Sequence, residues 1–136
     1  MSLLGYCKIV QSVAPVTSST ALDETEIDCT GFDRVCHIIN VGAMTANGTL
    51  DYQVQEAAAT GMANAADITG AALAQVKAAA GGSKVYAIDV PVNAAKPFQK
   101  AVAAAGGANV TSGAIAILYN GSGTYPKIAA TQAIIL

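Results

Sequence analysis

The chain has 136 residues, a length that suits one domain built around a single buried core. Its formal net charge is -2 and its seven basic residues are scattered, which excludes direct nucleic-acid binding because phosphate contacts need clustered Lys and Arg. No apolar run approaches the roughly 20 residues of a membrane-spanning helix, and the start MSLLGYCKIV lacks the basic segment of a signal peptide, so we expect a cytoplasmic product without membrane contact.

Small apolar residues dominate the composition. Hydrophobic residues make up 53% of the chain and charged residues 12%, and 29 residues are alanines. Small apolar side chains pack closely against a neighbouring surface and lose little entropy when they are ordered. The composition therefore favours extensive contact with partners, and an alanine bias in the codon usage of the host is the alternative explanation.

The first third of the chain predicts strands. YCKIVQSV begins as a β-rich run, and the following APVTSST is predicted to be a loop because Pro15 and the Ser/Thr cluster interrupt a strand ladder. TEIDC predicts a short strand. FDRVCHIINVGAM predicts the longest strand, and its two largely apolar faces indicate a central position in a sheet. One face carries Val35, His37, Ile39 and Val41, and the other carries Cys36, Ile38 and Asn40.

A turn and a strand with one buried face follow. Asn47-Gly48 favours positive backbone angles and predicts a tight hairpin turn. In the next run, TLDYQVQEA, the apolar residues Leu50, Tyr52 and Val54 alternate with polar ones. This period of two predicts a strand with one side in the core.

The last part of the chain combines clear strands with ambiguous alanine-rich runs. SKVYAIDVPV and NVTSGAIAILY predict strands by their alternation. GAALAQVKAAAGG and PFQKAVAAAGG both end in Gly-Gly and have the propensity of short helices. We predict a strand for KPFQKAVAAA and an irregular segment or short strand for GAALAQVKAAAGG, and the conformation of residues 58–82 stays open. With turn signals at sandwich-like spacing, about eight strands predict an all-β sandwich that forms one domain over residues 1–136.

Few residues offer chemistry. His37 is the only histidine, and its place in an apolar strand favours a hydrogen-bonded core residue over a general base. The odd number of cysteines without metal spacing favours free, mostly buried thiols, with a Cys29–Cys36 hairpin disulfide as the alternative. The three are Cys7, Cys29 and Cys36.

The remaining candidates are an acidic cluster and the apolar carboxyl end. The cluster, which matches no known calcium loop, favours a solvated strand edge over a cation site. It consists of Asp23, Glu24, Glu26 and Asp28. At the carboxyl end, Ile134, Ile135 and Leu136 either close a sheet or dock on another subunit. We therefore predict no enzymatic activity and no catalytic, cofactor-binding or metal-binding residues.

The segments LDYQVQEA, ADITGA, YAIDV and AIL, in this order between about Thr45 and Pro126, resemble the capsid cement or decoration proteins of tailed double-stranded DNA bacteriophages. The chain departs from that pattern at Phe98 to Ala105, where alanines replace bulkier residues. The resemblance implies a jelly-roll sandwich that binds the major capsid protein and clamps neighbouring capsomers. It also implies a location on the virion surface after assembly in the host cytoplasm.

The composition adds an expectation about assembly. Low charge and abundant small apolar residues favour a homo-oligomer, with a dimer preferred over a trimer. Two other functions stay open, a phage tail, tube or head–tail structural protein and a carbohydrate-binding sandwich module. The second would need exposed aromatic residues, and the chain has no Trp.

Overall fold

The computed structural model describes residues 7–120 together with the backbone of residues 132–135. Its strands form two sheets that pack face to face. The first sheet contains, in spatial order, β1 (Cys7–Ser18), β9 (Val110–Tyr119), β3 (Arg34–Met44), β7 (Lys84–Pro91) and β10 (Gln132–Ile135). The second contains β2 (Ile27–Asp28), β8 (Phe98–Gly106), β4 (Thr49–Ala57) and β5 (Ala66–Ala72), with β6 (Val76–Lys77) paired to β4.

The order of the strands is that of a jelly roll. The first sheet runs β1-β9-β3-β7 and the second runs β2-β8-β4-β5, so each sheet alternates strands from the two ends of the chain, as two Greek keys require. The pairs are antiparallel except that β10 lies parallel to β7. Within the described residues the single helix is α1 (Ala78–Gly81), and no helix there is long and apolar enough to cross a membrane. The predicted all-β sandwich is confirmed.

The core lies between the sheets and follows the predicted period of two. Leu50, Tyr52 and Val54 of β4 are buried, and Ile88 and Val90 of β7 are fully enclosed. The strand prediction for KPFQKAVAAA is also confirmed by β8. β8 turns its small residues inward, and these are Ala101, Ala103 and Ala105.

The predicted loop APVTSST is wrong, because β1 continues to Ser18. β1 lies at the edge of its sheet, and its register against β9 shifts between Gln11 and Val13 and again before Val16. A proline is tolerated at such an edge bulge, where its missing N–H interrupts no ladder. Gly113 of β9 accommodates the proline, since a Cβ there would lie 3.1 Å from Pro15 Cα.

The turn at Asn47-Gly48 forms, but the hairpin predicted from it is wrong. Asn47 has a φ of 68°, and the Gly48 N–H donates to the Thr45 carbonyl oxygen at 2.8 Å. However, β3 pairs with β7 and β9, whereas β4 pairs with β5, β6 and β8. The turn therefore carries the chain from one sheet to the other. Local sequence specifies the turn angles, and the partners of each strand are decided by distant segments.

The alanine-rich run at residues 70–82 contains the end of β5, the short β6 and the single turn α1. The prediction of an irregular segment or short strand is confirmed, except for that helical turn. Gly81 is buried beneath Tyr86, whose hydroxyl donates to the Gly81 carbonyl oxygen at 3.1 Å.

The carboxyl-terminal alternatives are settled in part. The backbone of residues 132–135 pairs with residues 86–89 of β7, which confirms that this segment extends the first sheet. Leu136 lies outside the described residues, as do residues 121–131.

Candidate functional site

His37 lies in the core between the sheets. Its side chain is fully buried, and its Nε2 is 3.1 Å from Oε1 of Gln99 on β8. Burial lowers the pKa of His37 to about 4, although Gln99 and the charge of Asp89 act in the opposite direction. The imidazole is therefore neutral near pH 7, with a side-chain amide as its partner. This is the hydrogen-bonded core histidine that its apolar strand predicted.

The described cysteines are free, as predicted. Cys29 and Cys36 are buried, and Cys7 is half-buried. Burial raises the pKa of the Cys29 thiol to about 12, and burial followed by the charge of Asp89 raises that of Cys36 to about 11. Both buried thiols stay protonated at neutral pH and are poor nucleophiles.

The acidic cluster at residues 23–28 lies along the edge of β8. Its carboxylates point to separate backbone donors. Glu24 Oε1 accepts from the N–H of Ala103 at 2.7 Å, and Glu26 Oε2 accepts from the N–H of Gly61 at 2.6 Å. Within the part of the chain that the structure describes, no group of three or more His, Cys, Asp or Glu residues is arranged to hold a metal ion. The cluster thus covers a sheet edge, where its charges oppose pairing with another strand.

The outer face of the second sheet is polar, as expected for an antiparallel sheet with one face in water. The side-chain amides of Gln53 and Gln55 donate to Asp67 Oδ1 at 3.1 and 2.8 Å. Nearby, Gln75 Nε2 donates to both carboxylate oxygens of Asp51.

The outer face of the first sheet is apolar. Ile9, Val85 and Ile115 are 44%, 41% and 40% exposed, and Ile38 and Ile117 are half-buried beside them. Ile9 lies level with Ile117, and Ile115 with Ile38, on neighbouring strands. We call Ile9, Ile38, Val85, Ile115 and Ile117 the outer patch. Burying it against a partner would remove several branched side chains from water, which is the main driving force of protein association.

A shallow hollow of about 430 Å³ opens within this face. Ile38, Val85 and Ile115 form its apolar walls, and the glycines Gly42 and Gly113 on neighbouring strands leave the space between them. The hollow is open to solvent on one side and apolar, so its geometry suits a protruding aliphatic side chain from another protein surface.

An ionic cluster borders the patch. Arg34 Nε lies 3.0 Å from Asp89 Oδ1, and the Tyr119 hydroxyl donates to Asp89 Oδ2. Burial alone would lower the pKa of Arg34, but its contacts with Tyr119 and Asp89 raise it overall. Burial, followed by the hydrogen bond to Asp89, raises the pKa of Tyr119 to about 12. The cluster is thus internally neutralised at the rim of an apolar face.

Replacing Asp89 with Asn is expected to lower the free energy of unfolding by about 2 kcal/mol, because it leaves the Arg34 guanidinium partly buried without its counter-ion. The matched control is Glu56→Gln, whose carboxylate is 3.5 Å from the more exposed Lys96 and should cost less than about 0.5 kcal/mol. Urea unfolding of both variants measures the difference. Equal losses would contradict a special role for the Asp89 cluster.

Sequence reasoning missed the outer patch as a surface. Ile115 and Ile117 stand in the run AIAIL, whose apolar residues on both faces were the available signal. Their neighbours Ile9, Ile38 and Val85 come from three other strands, so only the topology assembles the patch. Comparisons of the chain with protein-family models, curated proteins and solved structures find no match.

Proposed function

We propose that this protein is a structural virion protein, a capsid cement protein that binds the major capsid shell and stabilises it between capsomers. The observation that carries the proposal is the outer patch. It is an apolar, solvent-exposed sheet face on a small protein with few charges, and such a face is characteristic of a subunit that works within an assembly.

Two further features support the proposal. The jelly-roll strand order agrees with the architecture that the resemblance to phage cement proteins implies. In addition, the described histidine and buried cysteines are held in the core in uncharged forms, where they contribute to packing. Function then depends on contact area, and many weak contacts repeated around a shell gain strength through multivalency.

The tyrosines bear on the carbohydrate-binding alternative. Sugar-binding modules stack exposed aromatic rings on their ligands, whereas here Tyr52 and Tyr86 are buried, and Tyr119 is hydrogen-bonded to Asp89. A tail or tube protein would share the sandwich, but would assemble by itself into rings or filaments. Negative-stain microscopy of the purified protein separates that alternative from the shell-binding one.

Binding to the shell is tested by cosedimentation. Capsids of the encoding virus assembled without this protein are mixed with the purified protein and pelleted. We expect saturable binding with a fixed number of copies per capsid, because each shell offers a fixed set of equivalent sites. Capsids that already carry the protein are the matched control and should take up no more. Protein that stays in the supernatant at micromolar concentration with both preparations would refute the proposal.

A further inference from the structure

We infer that the outer patch is a two-fold contact between two copies of this chain, with Ile115 and Ile38 at the symmetry axis. This contact requires no shell, so it can be tested on the isolated protein and can fail independently of the proposed function. The inference depends on the charge and on the relief of the outer face of the first sheet.

The charge of the face fits self-association. Among the described side chains that point outward from β1, β3, β7 and β9, the charged ones are Arg34 and Asp89, and they pair with each other. In a two-fold contact each residue near the axis meets its own copy, so an uncompensated charge there would repel itself. A face whose charges are already paired can meet a second copy without that cost.

The relief of the face is described by three rows that run across the strands. The ridge row contains Ile9, Ile117 and Cys36. The middle row contains Gln11, Ile115, Ile38 and Ala87. The hollow row contains Gly113, Asn40 and Val85. The ridge row carries the most exposed isoleucine, Ile9, and the hollow row lines the cavity in the face.

The spacing of the rows makes the face complementary to itself. Successive rows are two residues apart along each strand, or about 7 Å, so the ridge row and the hollow row lie at equal distances from the middle row. Two sheets packed face to face are related by a two-fold axis that lies in the plane between them. If that axis follows the middle row, each ridge row faces the hollow row of the other copy. Ile117 of one copy then lies opposite Gly113 of the other.

The axis position gives a specific test by charge exchange. The variants Ile115→Asp and Ile115→Lys each place two like charges next to each other at the axis, whereas a mixture of the two variants pairs opposite charges. By sedimentation velocity we expect a wild-type dimer at micromolar concentration. We expect an approximately hundredfold weaker dimer for each variant alone and recovery of the dimer in the equimolar mixture.

Two controls keep the test independent of folding. Val102 on the outer face of the second sheet is 37% exposed, close to the 40% of Ile115, so Val102→Asp should leave the dimer intact. Ile115→Thr keeps a β-branched strand residue and should weaken the dimer without adding charge, which serves if an Asp or Lys variant does not fold. Three results would each overturn the inference, a monomeric wild type, a mixture that stays monomeric, or a dimer disrupted by Val102→Asp and unaffected by the Ile115 variants.

Discussion

Lowering the pH from 6.5 to 4 is expected to remove about 3 kcal/mol from the free energy of unfolding through His37 alone. The unfolded chain binds a proton on this histidine below its ordinary pKa of 6.5, whereas the buried imidazole of the folded protein does so only near a pKa of about 4. Between these values the unfolded state holds more protons, so stability falls as the pH falls, by ~1.4 kcal/mol per pH unit. Above pH 6.5 the contribution is fully present.

Urea unfolding at several pH values between 7 and 4 measures this effect. Protein concentration must be constant, because a dimer couples stability to concentration. His37→Gln is the control, since it keeps a polar side chain beside Gln99 and removes the titration. The carboxylates are shared by both proteins, so the difference between the two pH profiles isolates His37. Parallel profiles would show that the histidine is not held neutral by burial.

Gly107→Ala is expected to lower the free energy of unfolding by about 3 kcal/mol or more. Gly107 has a φ of +71°, and a Cβ at this position would overlap the carbonyl oxygen of Asn47 in the turn between the sheets. The β8–β9 connection and the β3–β4 turn pack backbone against backbone there, so neither can yield without disturbing the strands that follow.

Gly31→Ala separates the overlap from the cost of the left-handed conformation. Gly31 has a φ of +87°, and no neighbouring heavy atom lies within 4 Å of a Cβ built on it. It should therefore lose only about 1 kcal/mol, the penalty of a side chain in the left-handed region. Denaturant unfolding of both variants compares the two losses. Similar losses at the two positions would contradict the steric argument.

The strands were predictable from the sequence where one face is buried. β4 coincides with TLDYQVQEA, because Leu50, Tyr52 and Val54 alternate with polar residues and that period is a local property. β1 was predicted too short because Pro15 breaks a central strand, whereas the edge position and bulge that tolerate it depend on which strand is the neighbour.

Interactions between distant segments could not be predicted from the sequence. His37 and Gln99 are 62 residues apart, and Arg34 and Asp89 are 55 apart, so their contacts follow from the sheet order alone. The outer patch likewise joins residues of four strands. The composition indicated a protein that contacts partners, and the topology was needed to locate the surface.

The most direct test of the central proposal, that this protein reinforces a capsid, is the temperature at which capsids release their DNA. Capsids assembled with and without the protein are heated in parallel with a dye that fluoresces on free DNA, and a third sample receives purified protein before heating. We expect release at a lower temperature without the protein and restoration of the higher temperature when it is added back. The same release temperature in all three samples would contradict the proposal.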